Sequence, residues 1–150
     1  MRLAAHRLAV DTPPGWDARI YRRRPDEPEE RTHPVVHAAN FALPPSHGDF
    51  GSSAVPHMGA GNVLVVLVEY DAESARTPLF ANARMPRPRA ADFHPAKLQR
   101  VLPGQSGGQW FFHLGNRAFC LYVVLGSHTR RARLVPEVHR LLDRLTIEAG

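Results

Sequence analysis

Residues 109–125, QWFFHLGNRAFCLYVVL, constrain this chain more than any other stretch. Two apolar, aromatic-rich runs flank Gly115-Asn116. That dipeptide between such runs signals a two-residue β-hairpin loop, because the tight turn needs positive φ and glycine supplies it without strain. The loop length sets the register. Leu114 faces Arg117, Phe112 faces Phe119 and Trp110 faces Leu121. One face then carries Trp110, Phe112, Leu114, Phe119, Leu121, Val123 and Leu125, interrupted only by Arg117 at the tip. The other face carries Phe111, His113, Ala118, Cys120, Tyr122 and Val124, and is also mostly apolar. A sheet that is apolar on both faces has to be covered on both.

Other elements follow from periodicity and breakers. Residues 6–10 read as a first strand, and Thr12-Pro13-Pro14-Gly15 as a turn. Residues 16–22 alternate like a half-exposed strand near an edge. Residues 35–43 read as a strand, with Val35, His37, Ala39, Phe41 and Leu43 on one side. Residues 63–70, VLVVLVEY, form a continuous apolar run that suits the centre of a sheet. Residues 50–58 hold at most a short helix, limited by Pro56. Residues 71–108 contain five prolines that break any long element; they are expected to cover one face through Phe80, Phe93 and Leu98. Residues 134–145 show helical spacing of Leu134, Val138, Leu141, Leu142 and Leu145, with Pro136 tolerable in a first turn. A short strand over 146–148 ends the pattern. The expected fold class is α+β: a single domain, 1–150, with an antiparallel β-sheet flanked by helices and a C-terminal amphipathic helix.

Composition narrows function by exclusion. At 150 residues there is room for one core. No run approaches the roughly 18 apolar residues of a membrane span, and the N-terminus lacks the apolar stretch of a signal peptide. The expected location is cytoplasmic, without membrane insertion. The lone Cys120 lies in a strand and reads as a buried thiol. The net charge of +5 invites a nucleic-acid reading. However, the arginines are scattered, and RMPRPR (residues 84–89) lacks interleaved aromatics for base stacking, so nucleic acid is not favoured.

Several short stretches imitate catalytic or metal-binding motifs. Gly104-Gln105-Ser106-Gly107-Gly108 fits G-x-S-x-G, but a strand rather than a helix follows Ser106. Asp49-Phe50-Gly51 spells a kinase triplet without its companions. His33 and His37, four apart on a strand, lie roughly 13 Å apart, too far for one ion. His47, Asp49 and His57 are close enough in sequence to be metal co-ligands. Cys120 opposes Phe111 in the hairpin, so nothing brings His113 within reach of its thiol. No cofactor is expected.

The order of parts resembles the PsbP-like fold. The features that carry the resemblance are a strand leading into Pro14-Gly15-Trp16, a central strand over 63–70, and a late hairpin followed by a helix and LLDRLTIE (residues 141–148). That resemblance implies an antiparallel sheet sandwiched between helices, and a binding or assembly role rather than catalysis. No functional residue carries over. The chain is also similar to small uncharacterised proteins of GC-rich bacteria, which implies no activity. The leading expectation is a non-enzymatic module that recognises a protein partner through loop 46–61 and the basic loop. Its contact residues would be Arg84, Arg87, Arg89, His47 and His57. The alternative is a small hydrolase or metal-dependent enzyme using Ser106 or His47, Asp49 and His57.

Overall fold

A computed structural model describes residues 1–45, 48 and 50–149. Eight strands and one α-helix make a mixed α+β architecture with two antiparallel sheets. The strands are β1 (Arg2–Ala5), β2 (Leu8–Asp11), β3 (Asp17–Arg22), β4 (Pro34–Ala39), β5 (Val63–Tyr70), β6 (Ser106–Leu114), β7 (Arg117–Leu125) and β8 (Leu145–Ile147), and the helix is α1 (Arg131–Leu142). The larger sheet has the order β3-β4-β5-β7-β6, and the smaller the order β1-β2-β8.

The hairpin register is the expected one: Leu114 pairs with Arg117, Phe112 with Phe119 and Trp110 with Leu121. Gly115 has φ +57°, while Asn116 keeps a negative φ. Glycine first and only one positive φ is the pattern of a type II′ turn. β5 sits in the middle of the larger sheet, with its first six residues buried. The apolar wall of the hairpin packs against Leu8 and Val10 of β2, Leu134, Val138 and Leu141 of α1, and Leu145 of β8. The small sheet and α1 thus form one covering layer.

The opposite face differs from expectation. No second α-helix covers it among the described residues. Instead, loop residues Phe41, Leu43, Phe50, Val55, Met58, Leu98 and Leu102 pack on Val35, Leu64, Val66, Tyr122 and Val124. Pro44, Pro45 and Pro56 keep this cover in short turns, the longest helical piece being Val55–His57.

Residues 71–108 also depart from the reading of a one-face cover. Phe80, Phe93 and Leu98 are all buried anchors, but Phe93 joins the helix side whereas Leu98 and Phe80 lie on the other face. The segment therefore wraps the β6 edge. His94 and Gly107 exchange backbone hydrogen bonds of 2.9 and 3.1 Å, and His113 N donates to Asn82 O at 2.8 Å. The N-terminal reading missed a strand: residues 2–11 are a hairpin that turns at His6-Arg7, not one strand over 6–10. α1 begins three residues before the expected start, so Pro136 falls inside the helix. Its missing N–H leaves the carbonyl of Ala132, an exposed residue, to water.

Candidate functional site

Two charged residues interrupt otherwise apolar strands. Glu69 lies near the end of β5 and Arg117 begins β7, on the same face of the sheet. Their side chains are 12% and 7% exposed, so each needs a partner. Arg117 Nε and Nη2 donate to the two Glu69 carboxylate oxygens at 3.0 and 2.6 Å, a bidentate pair. Nη1 donates to the carbonyls of Arg7 and Glu148, each at 3.0 Å, and Nη2 to His6 O at 3.2 Å. All five guanidinium N–H groups are thereby used. The guanidinium also stands 5.1 Å above the Phe119 ring. This clamp joins the larger sheet to the tip of the β1–β2 hairpin and the end of β8.

The tip it holds is unusual. His6 and Arg7 have φ +53° and +63°, both left-handed. A two-residue turn of this kind normally takes Asn-Gly, and a side chain there costs about 1–2 kcal/mol per residue. Strain of this kind is found where a side chain is needed for something other than stability. Arg7→Gly relieves it at the cost of unfolded-chain entropy, and loses only an exposed 3.7 Å pair with Glu148. We expect this variant to gain up to about 1 kcal/mol in urea unfolding. A loss of stability would show that the turn is not strained.

Around the clamp lies an open cleft of about 440 Å³, lined among others by His6, Arg7, Arg22, His33, Tyr70 and Asn116. A second cavity of about 190 Å³ shares Thr32, His33, Glu69 and Tyr70 with it, and adds Arg23 and Arg31. The lining is cationic. Glu69 is the only carboxylate among the described lining residues of both, and Arg117 neutralises it. Arg22 is exposed and donates from Nε to Thr32 Oγ1 at 3.0 Å. Neither Arg22 nor Arg31 pairs with a carboxylate among the described residues. Arg23 is different: it binds Asp26 at 3.2 Å and also Glu30, whose carboxyl it holds below the usual carboxylate range. His33 Nε2 lies 2.7 Å from Asp71 Oδ1.

The described residues that the sequence singled out are placed elsewhere. Arg84, Arg87 and Arg89 are exposed. Arg87 pairs with Asp143 at 2.7 Å and Arg89 with Asp92 at 3.4 Å, so most of this loop's charge is already met. His57 is exposed, at the end of the turn whose Val55 packs on the loop-covered face. The basic loop lies on the helix side, where Met85 and Ala90 pack. The structure does not bring the two together. His47 and Asp49 lie outside the described residues. Among the described residues, no three His, Cys, Asp or Glu side chains are grouped to hold a metal ion. No described helix is long and apolar enough to cross a membrane.

Ser106 does meet a histidine. Its Oγ lies 2.9 Å from His128 Nδ1. His128 is held below the usual imidazole pKa by its partial burial, then by Arg131 and the His94 ring. Ser106, however, opens β6 with no exposed surface, and no carboxylate orients His128 among its described hydrogen bonds. A sealed hydroxyl cannot touch a substrate carbonyl in this conformation. Cys120 is sealed as well. Burial pushes its thiol up to about 11, against a hydrogen bond from Gln109 at 3.4 Å, so almost no thiolate exists near neutral pH. His113 Nδ1 donates to Phe80 O at 2.6 Å. His37, fully buried, lies 3.4 Å from Arg19 Nε and 3.5 Å from the Tyr21 hydroxyl.

Family models, curated proteins and solved structures give no match to this chain.

Proposed function

We propose that this protein is a non-enzymatic binding module that recognises an acidic segment of a protein partner through the clamp-lined cleft. The observation that carries this reading is the cleft's charge. Arg22 and Arg31 have no carboxylate partner among the described residues, Arg7 has only the exposed Glu148, and the single acid of the floor is fully engaged by Arg117. Such a surface attracts negative charge and repels positive charge. It is open and built on strand ends, which suits a segment of another protein better than an enclosed small molecule. The basic loop at Arg84, Arg87 and Arg89 takes second place as the contact surface, because Asp92 and Asp143 occupy two of its three arginines.

The test is a titration with a glutamate-rich peptide, followed by NMR at moderate salt. Backbone signals of His6, Arg7 and Arg22 should shift together. Arg22→Glu with Arg31→Glu should weaken binding by about tenfold or more, and added salt should weaken it further. If Ala substitutions at Arg84, Arg87 and Arg89 weaken binding while the cleft variants do not, the contact surface is the basic loop and the cleft placement is wrong.

A further inference from the structure

His33 differs from the arginines around it, because it lines both parts of the cleft and one of its ring nitrogens is already assigned. Nε2 lies 2.7 Å from Asp71 Oδ1, so in the neutral imidazole Nε2 carries the proton that the carboxylate accepts. Nδ1 then keeps a lone pair, and no hydrogen bond meets it among the described residues. Arg22 pairs with Pro34 at the end of the β3–β4 ladder, which sets it beside Thr32 and His33. It spends Nε on the buried Thr32 Oγ1 at 3.0 Å. No hydrogen bond takes its Nη1 or Nη2 among the described residues, so the open end of an anchored guanidinium is left for a ligand.

The left-handed turn brings His6 and Arg7 to the same 440 Å³ cleft. Arg7 meets only the exposed Glu148, at 3.7 Å, which is beyond hydrogen-bond distance. A ligand anion can therefore take Arg7 without breaking a strong pair. Arg23 is not available in the same way, since Asp26 and Glu30 hold it. Two arginine forks and a histidine fixed by a carboxylate thus converge from the β1–β2 turn, the end of β3 and the segment before β4.

We propose that the acidic segment bound here carries a phosphorylated side chain, with the phosphate seated among Arg7, Arg22 and His33. This deepens the reading of the cleft and rests on it. A phosphate monoester has three terminal oxygens and a second pKa of about 6. Near neutral pH its dianion offers more charge and more acceptors to the two forks than one carboxylate does. Its monoanion also carries a P–O–H. That hydroxyl donates to the lone pair on Nδ1 of neutral His33, and a phosphate oxygen accepts from Nδ1–H of the imidazolium. Either form of the ring therefore matches a monoester. A carboxylate, ionised at that pH, matches the imidazolium alone. So does the phosphodiester of a nucleic acid, which has no titrating proton near neutrality. Asp71 meets the ring at the other nitrogen and leaves the Nδ1 side to the ligand.

The experiment uses the whole protein and a glutamate-rich peptide made in two forms, with glutamate or phosphoserine at its centre. Both are titrated by NMR near neutral pH and moderate salt. The phosphoserine form should bind about tenfold more tightly, and the backbone signals of Arg7, Arg22 and His33 should shift with it. His33→Phe keeps a ring without either nitrogen and leaves the exposed Asp71 to water. It should cost the phosphoserine form about tenfold and the glutamate form clearly less. If the unaltered protein binds both forms in the cleft equally well, the phosphate assignment is wrong and the cleft reading survives; that comparison needs no variant. If neither form binds, both readings fall. Equal losses of the two forms in a His33→Phe protein of unchanged melting temperature also overturn the phosphate assignment. So does a single-stranded oligonucleotide of equal charge that binds the cleft more tightly than the phosphoserine peptide, since a diester would then suffice.

Discussion

Arg117→Ala should destabilise the protein by about 3–5 kcal/mol, a large share of the roughly 5–15 kcal/mol that holds a domain of this kind folded. The substitution does three things at once. It leaves the Glu69 carboxylate, 12% exposed, without its counter-charge. It strips the carbonyls of His6, Arg7 and Glu148 of a donor. It also removes the side chain that, among the described residues, bonds the larger sheet to a left-handed turn that is itself strained. Urea unfolding measures the loss as a lower midpoint at unchanged slope. Arg117→Lys should recover little, since an ammonium cannot reproduce the fork to Glu69 and two further carbonyl directions. Arg117→Met combined with Glu69→Leu should recover much of the loss, because no charge is then stranded. A cost below about 1 kcal/mol for Arg117→Ala would mean that water reaches Glu69 and the clamp is open in solution.

The clamp marks where sequence reading stops. The hairpin at Gly115-Asn116 was legible because a local turn rule fixes its register, and register fixes both faces. β5 was legible because eight consecutive residues, rich in valine and without a breaker, have the length of a buried strand. Arg117 was visible as a break in the apolar wall, and Glu69 as the lone acid in VLVVLVEY. What joins them is the pairing of β5 with β7, which aligns Glu69 with Phe119. A lone acid and a lone arginine at matching ends of two apolar strands are a usable signal for such a pair. The β1–β2 hairpin gave no comparable signal, since His6-Arg7 is not a turn dipeptide by local chemistry. It adopts the turn because Arg117 and the strand pairing hold it there. The cleft gathers residues 6–7, 22, 31–33, 69–70 and 116–117, which share no spacing and meet only through strand order. The basic run at 84–89 is conspicuous because it is contiguous, yet Asp92, three residues beyond it, neutralises Arg89. Ser106 shows the reverse case: the motif fitted and a histidine lies beside it, but pairing with Leu125 at the start of β6 seals the hydroxyl.

Phe112→Ala should cost about 3–5 kcal/mol, and the site explains why the upper part of that range applies. Phe112 has no exposed surface and stacks on Phe119, its register partner, with ring centroids 5.5 Å apart and planes 24° apart. It belongs to the cluster that includes Leu121, Leu134, Val138 and Leu141, so sheet and helix both contact the space it fills. Neither can move inward to close the void. β7 is bonded on both sides, by β5 and β6, and α1 is held by Arg87 to Asp143 and by His139 to Pro88 O at 2.5 Å. A rigid surround leaves the cavity open, and residual cavity volume is what raises the cost above simple transfer. Phe111→Ala is the matched control. Phe111 is one position along the same strand but faces the other way, is partly exposed, and packs edge-on against Phe80 at 5.4 Å. Its loss should cost clearly less. If the two variants are equally destabilised in urea, both faces of β6 are equally buried, and the assignment of the helix-side wall as the main core is wrong. If Phe112→Ala costs below about 1 kcal/mol, the strand is out of register by one residue, since a one-residue slip exchanges the two faces.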